Sequence, residues 1–234
     1  MKNTRIETIA DMVKEGMVVA DIGTDHALLP ILLVQNNKSN KVYACDIAEG
    51  PLASAKTNIE KYHYSSLIQT ILSNGFEHVP ADSEVAVIAG MGYLTACGIL
   101  DAAMHRLPSF KQIILEINRD PDEMRKWISS HNFTIVEERF VHERNHDYVI
   151  MSFTCEYHPS YTEEEILLGP VLMQKNEDDY IAYCQKQYEK YKTILERSSG
   201  RSDASIQKKF LIFKEFLKAL QNWMRCQEID FQIT

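Results

Sequence analysis

Long apolar runs are missing from this sequence. None approaches the roughly 18 residues that a membrane-spanning helix needs, and the charged start Met1-Lys2-Asn3-Thr4-Arg5 has no apolar stretch behind it. The expectation is a cytoplasmic protein with neither a membrane span nor a secretory leader. Paired cysteines are missing too. Cys45, Cys97, Cys155, Cys184 and Cys226 are scattered, with no C-x-x-C pair, which argues against a disulfide framework and a zinc site. The 8 histidines show no ligand spacing such as H-E-x-x-H, so no metal is expected. Only 9 glycines and 7 prolines are present, too few for long disordered tracts. Positive charge is in deficit: the net charge of −8 counts against nucleic acid as a partner and leaves a local basic patch as the electrostatic route to one.

What is present is an apolar pattern with a regular beat. With 234 residues, 45% of them hydrophobic, the chain can build one sizeable α/β domain and a small accessory unit. Residues 1–16 read as a helix, with Ile6, Ile9, Ala10 and Val13 at helical spacing and Gly16 as its stop. Residues 17–22 read as a buried strand, 23–26 as a turn, and 27–34 as a helix that tolerates Pro30 in its first turn. Further strands are expected at 41–47, 67–72, 84–89 and 112–117, with helices from Gly50-Pro51 to about Tyr62 and over 121–130. The runs 134–140 and 147–155 alternate like antiparallel strands that close such a sheet. The alternation predicts an α/β fold with a mostly parallel sheet covered on both faces.

The composition shifts near His158-Pro159, so residues 1–158 and 159–234 are expected as separate domains. In the second, Tyr180, Cys184, Tyr188, Tyr191 and Leu195 share a helix face. Residues 198–203 break the pattern, and Asp203 can cap the next helix. Ile206, Phe210, Phe213, Leu217, Leu220 and Met224 then alternate steps of four and three, the mark of a packed seam. Two such helices with a short polar join predict an antiparallel hairpin. Lys186, Lys190, Lys208, Lys209 and Lys214 give it local positive charge, diluted by acidic neighbours. A solvated helical face and an RNA contact both remain open.

Ligands of such sheets sit outside the carboxyl ends of the strands, and four clusters fall there. Asp21-Ile22-Gly23-Thr24-Asp25-His26 follows the first strand. Its glycine permits close approach of a ligand, and the helix start beyond offers free N–H groups to an anion. Asp46-Ile47 ends the second strand, where a carboxylate can accept hydrogen bonds from ribose hydroxyls. Asn74-Gly75 ends the third, with an amide able to read an adenine edge. Ala89-Gly90-Met91-Gly92 ends the fourth and leaves room for a second substrate. Each alone also reads as an ordinary turn or strand-end bend; their convergence carries the expectation of a nucleoside site.

Asp21-Ile-Gly-Thr-Asp-His-Ala-Leu-Leu-Pro30 resembles the DIG(S/T)DHAYLP stretch of the bacterial TrmK family. Ile47-Ala-Glu-Gly-Pro51 with Ser54-Ala55, then Ile88-Ala-Gly-Met-Gly92, then Leu168-Gly169-Pro170 resemble its later blocks in order. The resemblance implies a Rossmann-like class I methyltransferase domain followed by a helical, coiled-coil-like hairpin domain. It further implies S-adenosyl-L-methionine as cofactor, tRNA as partner, and methylation of N1 of adenine 22. Matched block by block, Gly23, Thr24, Asp25, Asp46, Asn74 and Gly90 would line the cofactor site. Asp25 would stand near the target base, with Asn118 orienting it. The chain departs from the family at Tyr93, where a second glycine is usual, and at Glu116-Ile117, where the family has Gln-Pro. These departures keep two alternatives open: a non-catalytic cofactor-binding protein, and a methyltransferase for another RNA or a small molecule. Oligomeric state is not legible, and a monomer is compatible with the sequence.

Overall fold

A computed structural model describes residues 4–117, 119–197 and 204–233, and of residues 220–233 the backbone alone. The described chain divides into two compact units, Met1–Tyr161 and Thr162–Thr234.

The first unit opens with helix α1, Arg5–Met12. Thr4 and Glu7 form a reciprocal capping box at its start. The helix stops at Met12 rather than running on to Gly16, and the cause is tertiary. The buried Gln112 side chain donates to the Met12 carbonyl (2.8 Å) and accepts from the Lys14 amide (3.1 Å). That clamp satisfies groups which another helical turn would otherwise have used.

Strands β1 (Val19–Ile22), β2 (Val42–Asp46), β3 (Ile68–Leu72), β4 (Val85–Met91) and β5 (Gln112–Ile117) are parallel. Helices α2 (Leu28–Gln35), α3 (Glu49–Lys61), α4 (Tyr93–Ala102) and α5 (Pro121–Ser130) connect or follow them. Strands β6 (Phe133–Glu143) and β7 (His146–Tyr157) complete a seven-stranded sheet of order β3-β2-β1-β4-β5-β7-β6, in which β7 runs antiparallel to both neighbours. They extend past the predicted runs to a tight turn at Arg144 and Asn145, whose φ values of 49° and 66° suit a type I′ hairpin. Helix α4 falls where the sequence pattern names no element. Its apolar residues show little sidedness and Gly98 interrupts them, so packing rather than periodicity defines it.

β1 and residues 85–88 of β4 are buried because helices cover both sides of the sheet, which is why they read as largely apolar runs. Ile9 of α1, Leu33 of α2, Val42, Val85 and Ile114 share one core. At the far edge, Arg125 and Glu138 form a buried ion pair (2.7 Å) between α5 and β6.

The second unit contains helices α6 (Glu163–Leu168), α7 (Asp178–Arg197) and α8 (Ala204–Ile233). A capping box of Thr162 and Glu165 starts α6. Tyr188 stacks near Phe210 and Tyr191 near Phe213, joining α7 to α8. The join at 198–203 is too short to span the length of α7, so the helices run antiparallel. Tyr180, Cys184 and Phe213 are buried as the seam implies, and Phe216, outside it, is buried as well. The capping role of Asp203 and the side chains of Leu220 and Met224 lie outside the described residues.

Candidate active site

Strand register brings the predicted loops to one edge. Ile22 stands opposite Cys45 on one side and Ile88 on the other, and Asp46 opposite Leu72. Residues 23–26, 46–48, 73–75 and 89–92 therefore leave the same carboxyl edge. The strand order reverses between β1 and β4, which is where such sheets open a crevice.

The loops are also tied to one another. The Gly23 and Thr24 amides both donate to the Cys45 carbonyl at 2.8 Å, hanging the first loop from β2. The Ser73 amide donates to the Asp46 carbonyl at 2.8 Å, linking the third loop to the second. Gly23 has φ +80°, and a Cβ there would run into Met91 Cε, so the first and fourth loops touch. Only glycine combines that dihedral with that approach.

Asp21 is buried just before the loop. Burial pushes its carboxyl up to about 6, and the nearby Asp46 charge adds to the rise. The nearby Thr24 hydroxyl opposes it, through a contact that falls short of hydrogen-bond geometry, since Oγ1 is buried without a partner among the described residues. Asp25 is 78% exposed in its side chain, with Oδ1 3.2 Å from His26 Nε2. His26 and Ala27 both take left-handed backbone, φ 56° and 52°, an unusual strain for residues with a Cβ. Asn58 of α3 helps hold that bend, its Nδ2 donating to the His26 carbonyl at 2.9 Å.

Asp46 Oδ1 accepts the Ala48 amide at 2.8 Å, an Asx turn just ahead of α3. Beside it, Ile47 is 67% exposed and Leu72 50% exposed. Asn74 is exposed, and Gly75 packs close to α4, where a Cβ would lie 3.1 Å from Ile99. A cavity of about 730 Å³ extends from Asn74 and Gly75 along α4 past Phe76, Ile99 and Arg106. The Arg106 guanidinium holds its wall by donating to the Phe76 and Pro80 carbonyls. Asp21, Gly23, Asp46 and Gly90 lie outside that lining.

The fourth loop is exposed only from Gly90 outward: Ala89 and Met91 are half-buried, Gly90 and Gly92 exposed. Gly90 has φ +74°, and the β4–β5 register shifts between Ile88 and Met91. The Gly90 amide donates to Glu116 Oε2 at 2.8 Å. Asn118 lies outside the described residues.

Sequence reasoning missed Asn58 and Arg106, which no local motif marks. For Glu116 a signal existed: it is the single charge in the apolar run Ile113-Ile-Leu-Glu-Ile117, and a lone charge in a buried strand calls for a partner.

A model of the TrmK family, described as tRNA (adenine(22)-N(1))-methyltransferase, matches residues 19–222. The chain belongs to the TrmK family. It is 27% identical over 213 residues to the tRNA (adenine(22)-N(1))-methyltransferase of Bacillus subtilis, covering 88% of this chain and 90% of the relative. It also resembles M. capricolum TrmK solved with S-adenosyl-homocysteine, with TM-score 0.80, 31% identity, and coverage of 93% and 98%. A Streptococcus pneumoniae protein solved with S-adenosyl-L-methionine matches with TM-score 0.82, 30% identity, and coverage of 93% and 100%. The family's fold, a Rossmann-like sheet followed by helices, is the fold of this chain.

The residues at the carboxyl edge fit such a nucleoside cofactor. A carboxylate at Asp46 and an amide at Asn74 share this edge with exposed aliphatic side chains at Ile47 and Leu72. That pairing of polar anchors with apolar walls suits a ribose and a base. Among the described residues no group of three or more His, Cys, Asp or Glu could hold a metal ion, and no helix is long and apolar enough to cross a membrane.

Proposed function

We propose that this chain methylates N1 of adenine 22 in tRNA, with S-adenosyl-L-methionine supplying the methyl group as a sulfonium. The observation that supports the reading is that four loops leave one carboxyl edge of the sheet, two of them flanking its switch point, in a chain whose residues 19–222 match the TrmK model. Asp46 holds the ribose through its second oxygen, Asn74 and Gly75 receive the adenine end, and Ile47 and Leu72 enclose it. Asp21, Gly23, Thr24 and His26 frame the methionine end. Residues 89–92 border the space between cofactor and acceptor.

The neutral adenine N1 lone pair forms the new N–C bond as the C–S bond breaks in line, so holding the two reactants in place supplies most of the acceleration. The base becomes cationic. Asp25 favours that charge and then accepts a proton from the exocyclic amine. Its exposed carboxylate can meet a base arriving from solvent without any core group moving. We assign Asn118 to orienting the base, on its place after β5. The target adenine must leave its stack to reach the loops. Residues 1–158 then carry the chemistry, and 159–234 contact the body of the tRNA in the cytoplasm.

The test is mass mapping of nucleosides after incubation with unmodified tRNA, with tRNA lacking adenine at position 22 as control. Asp25→Ala is expected to bind cofactor as wild type in calorimetry and to lose about 100-fold or more in turnover. Full turnover in that variant removes Asp25 from the mechanism. Absence of 1-methyladenosine with the wild type overturns the reading itself.

A further inference from the structure

The side chain of Glu116 is fully buried at the carboxyl end of β5, where every other side chain is apolar except Gln112. Alternate residues of β5 face α1: Gln112 reaches Met12, Ile114 shares a core with Ile9, and Glu116 reaches Arg5 at the first turn. Glu116 Oε2 accepts from both the Arg5 guanidinium and the Gly90 amide. Oε1 is buried and meets no donor among the described residues. Arg5 is itself fixed from two other directions. Its amide donates to Glu143 at 2.8 Å, and its guanidinium lies 5.3 Å from the centre of the Tyr148 ring. Both partners belong to the β6–β7 hairpin.

A carboxylate buried in an otherwise apolar strand is costly even when it is paired. A neutral or apolar residue would be the cheaper choice if filling the core were all that mattered. The cost falls at one place, the register shift where β4 leaves the ladder and Gly90 turns left-handed. The Gly90 amide is deprived of a regular ladder partner there, and Glu116 supplies the acceptor. Residues 91–93 extend directly from that bend.

We propose that Arg5 and Glu116 form a latch that sets the Gly90 bend, making Glu116 a positioning residue for methyl transfer. Arg5 neutralises the carboxylate and aims it; the carboxylate holds the amide; the bend places Met91, Gly92 and Tyr93 beside the acceptor base. The role rests on the functional reading above. It also accounts for the departure at Glu116: the acceptor oxygen of a glutamine is kept, and a charge is added that ties the loop to α1 and the hairpin.

The test compares wild type with R5M/E116L, which removes the latch without stranding a buried charge, and R5M/E116Q, which restores a neutral acceptor for Gly90. Thermal melts establish that both fold. Methyl transfer to unmodified tRNA gives kcat and KM, calorimetry gives the cofactor Kd, and amide hydrogen exchange follows Gly90. In R5M/E116L, kcat is expected to fall about 10- to 100-fold, the scale of a small misplacement near the reacting atoms. Its cofactor Kd is expected to stay within about twofold of wild type, since only transition-state placement is lost. Exchange at Gly90 accelerates, and R5M/E116Q recovers most of the kcat and of the protection. An unchanged kcat, a loss confined to the cofactor Kd, or no recovery with glutamine overturns the latch. If the wild type itself transfers no methyl group, the functional reading falls, and unaltered Gly90 exchange in R5M/E116L overturns the latch independently.

Discussion

Replacing Gly23 by alanine puts a number on the closeness of the first and fourth loops. Two costs arise. The backbone at φ +80° must accept a Cβ, worth about 1–2 kcal/mol. The new methyl must also displace Met91 Cε, the far end of a flexible side chain, which can rotate away for about 0.5–1 kcal/mol. Against these, alanine restricts the unfolded chain and returns about 0.4–1 kcal/mol. The net loss is about 1–2 kcal/mol, which for a unit of this size lowers Tm by about 2–8 °C. The effect on binding is expected to be of the same size as the effect on folding, because displacing Met91 disturbs the contact between the first and fourth loops. Cofactor Kd should rise at least about tenfold, a change of 1.4 kcal/mol. Differential scanning calorimetry and titration calorimetry read the two quantities separately. The double variant G23A/M91A removes the collision and leaves the dihedral, so it should recover less than half of the lost stability. A G23A protein with unchanged Tm and unchanged cofactor Kd refutes the argument.

Two further outcomes arise from buried charges. The Asp21 carboxyl is raised by burial to about 6 from 3.8, so the native state binds a proton more readily than the unfolded chain. Stability therefore falls as pH rises through about 4 to 6, by up to about 3 kcal/mol from this group. Asp21→Asn should flatten that part of the Tm–pH profile and raise Tm at pH 7; a profile unchanged by the substitution counts against the burial argument. At the far edge, Arg125→Met breaks the buried pair with Glu138 and should cost about 3–5 kcal/mol, while R125M/E138L recovers most of it. Urea unfolding of the three proteins checks this, and equal losses in the single and double variants would show that the pair is not the source.

The layout of the sheet was legible because a strand covered on both faces must be apolar along its length. Residues 19–22, 42–46 and 85–88 are such runs; the second ends in Asp46, and Gly23 and Ala89 follow the first and third where the chain emerges. The order of Asp21, Asp46, Asn74 and Gly90 at successive strand ends was legible for the same reason. Helix α4 was not, since its residues do not separate into an apolar and a polar face. Nor was the end of α1, which a glutamine one hundred residues away decides. Pairing of β6 with β7 was visible in alternation, but their reach was not, because Arg144 and Asn145 are not the usual signature of a two-residue turn.

The sequence by itself determined the alternation of elements, the edge at which the polar loops appear, and the helical seam of the second unit. All three rest on local period, and local period is written in neighbouring residues. Tertiary structure decided which loops touch: Gly23 against Met91, the first loop on the Cys45 carbonyl, Asn58 on His26, and Arg5 with Glu116 on Gly90. Those contacts join residues up to 111 positions apart. They depend on strand order and register, which fix distances that no stretch of neighbouring residues can encode.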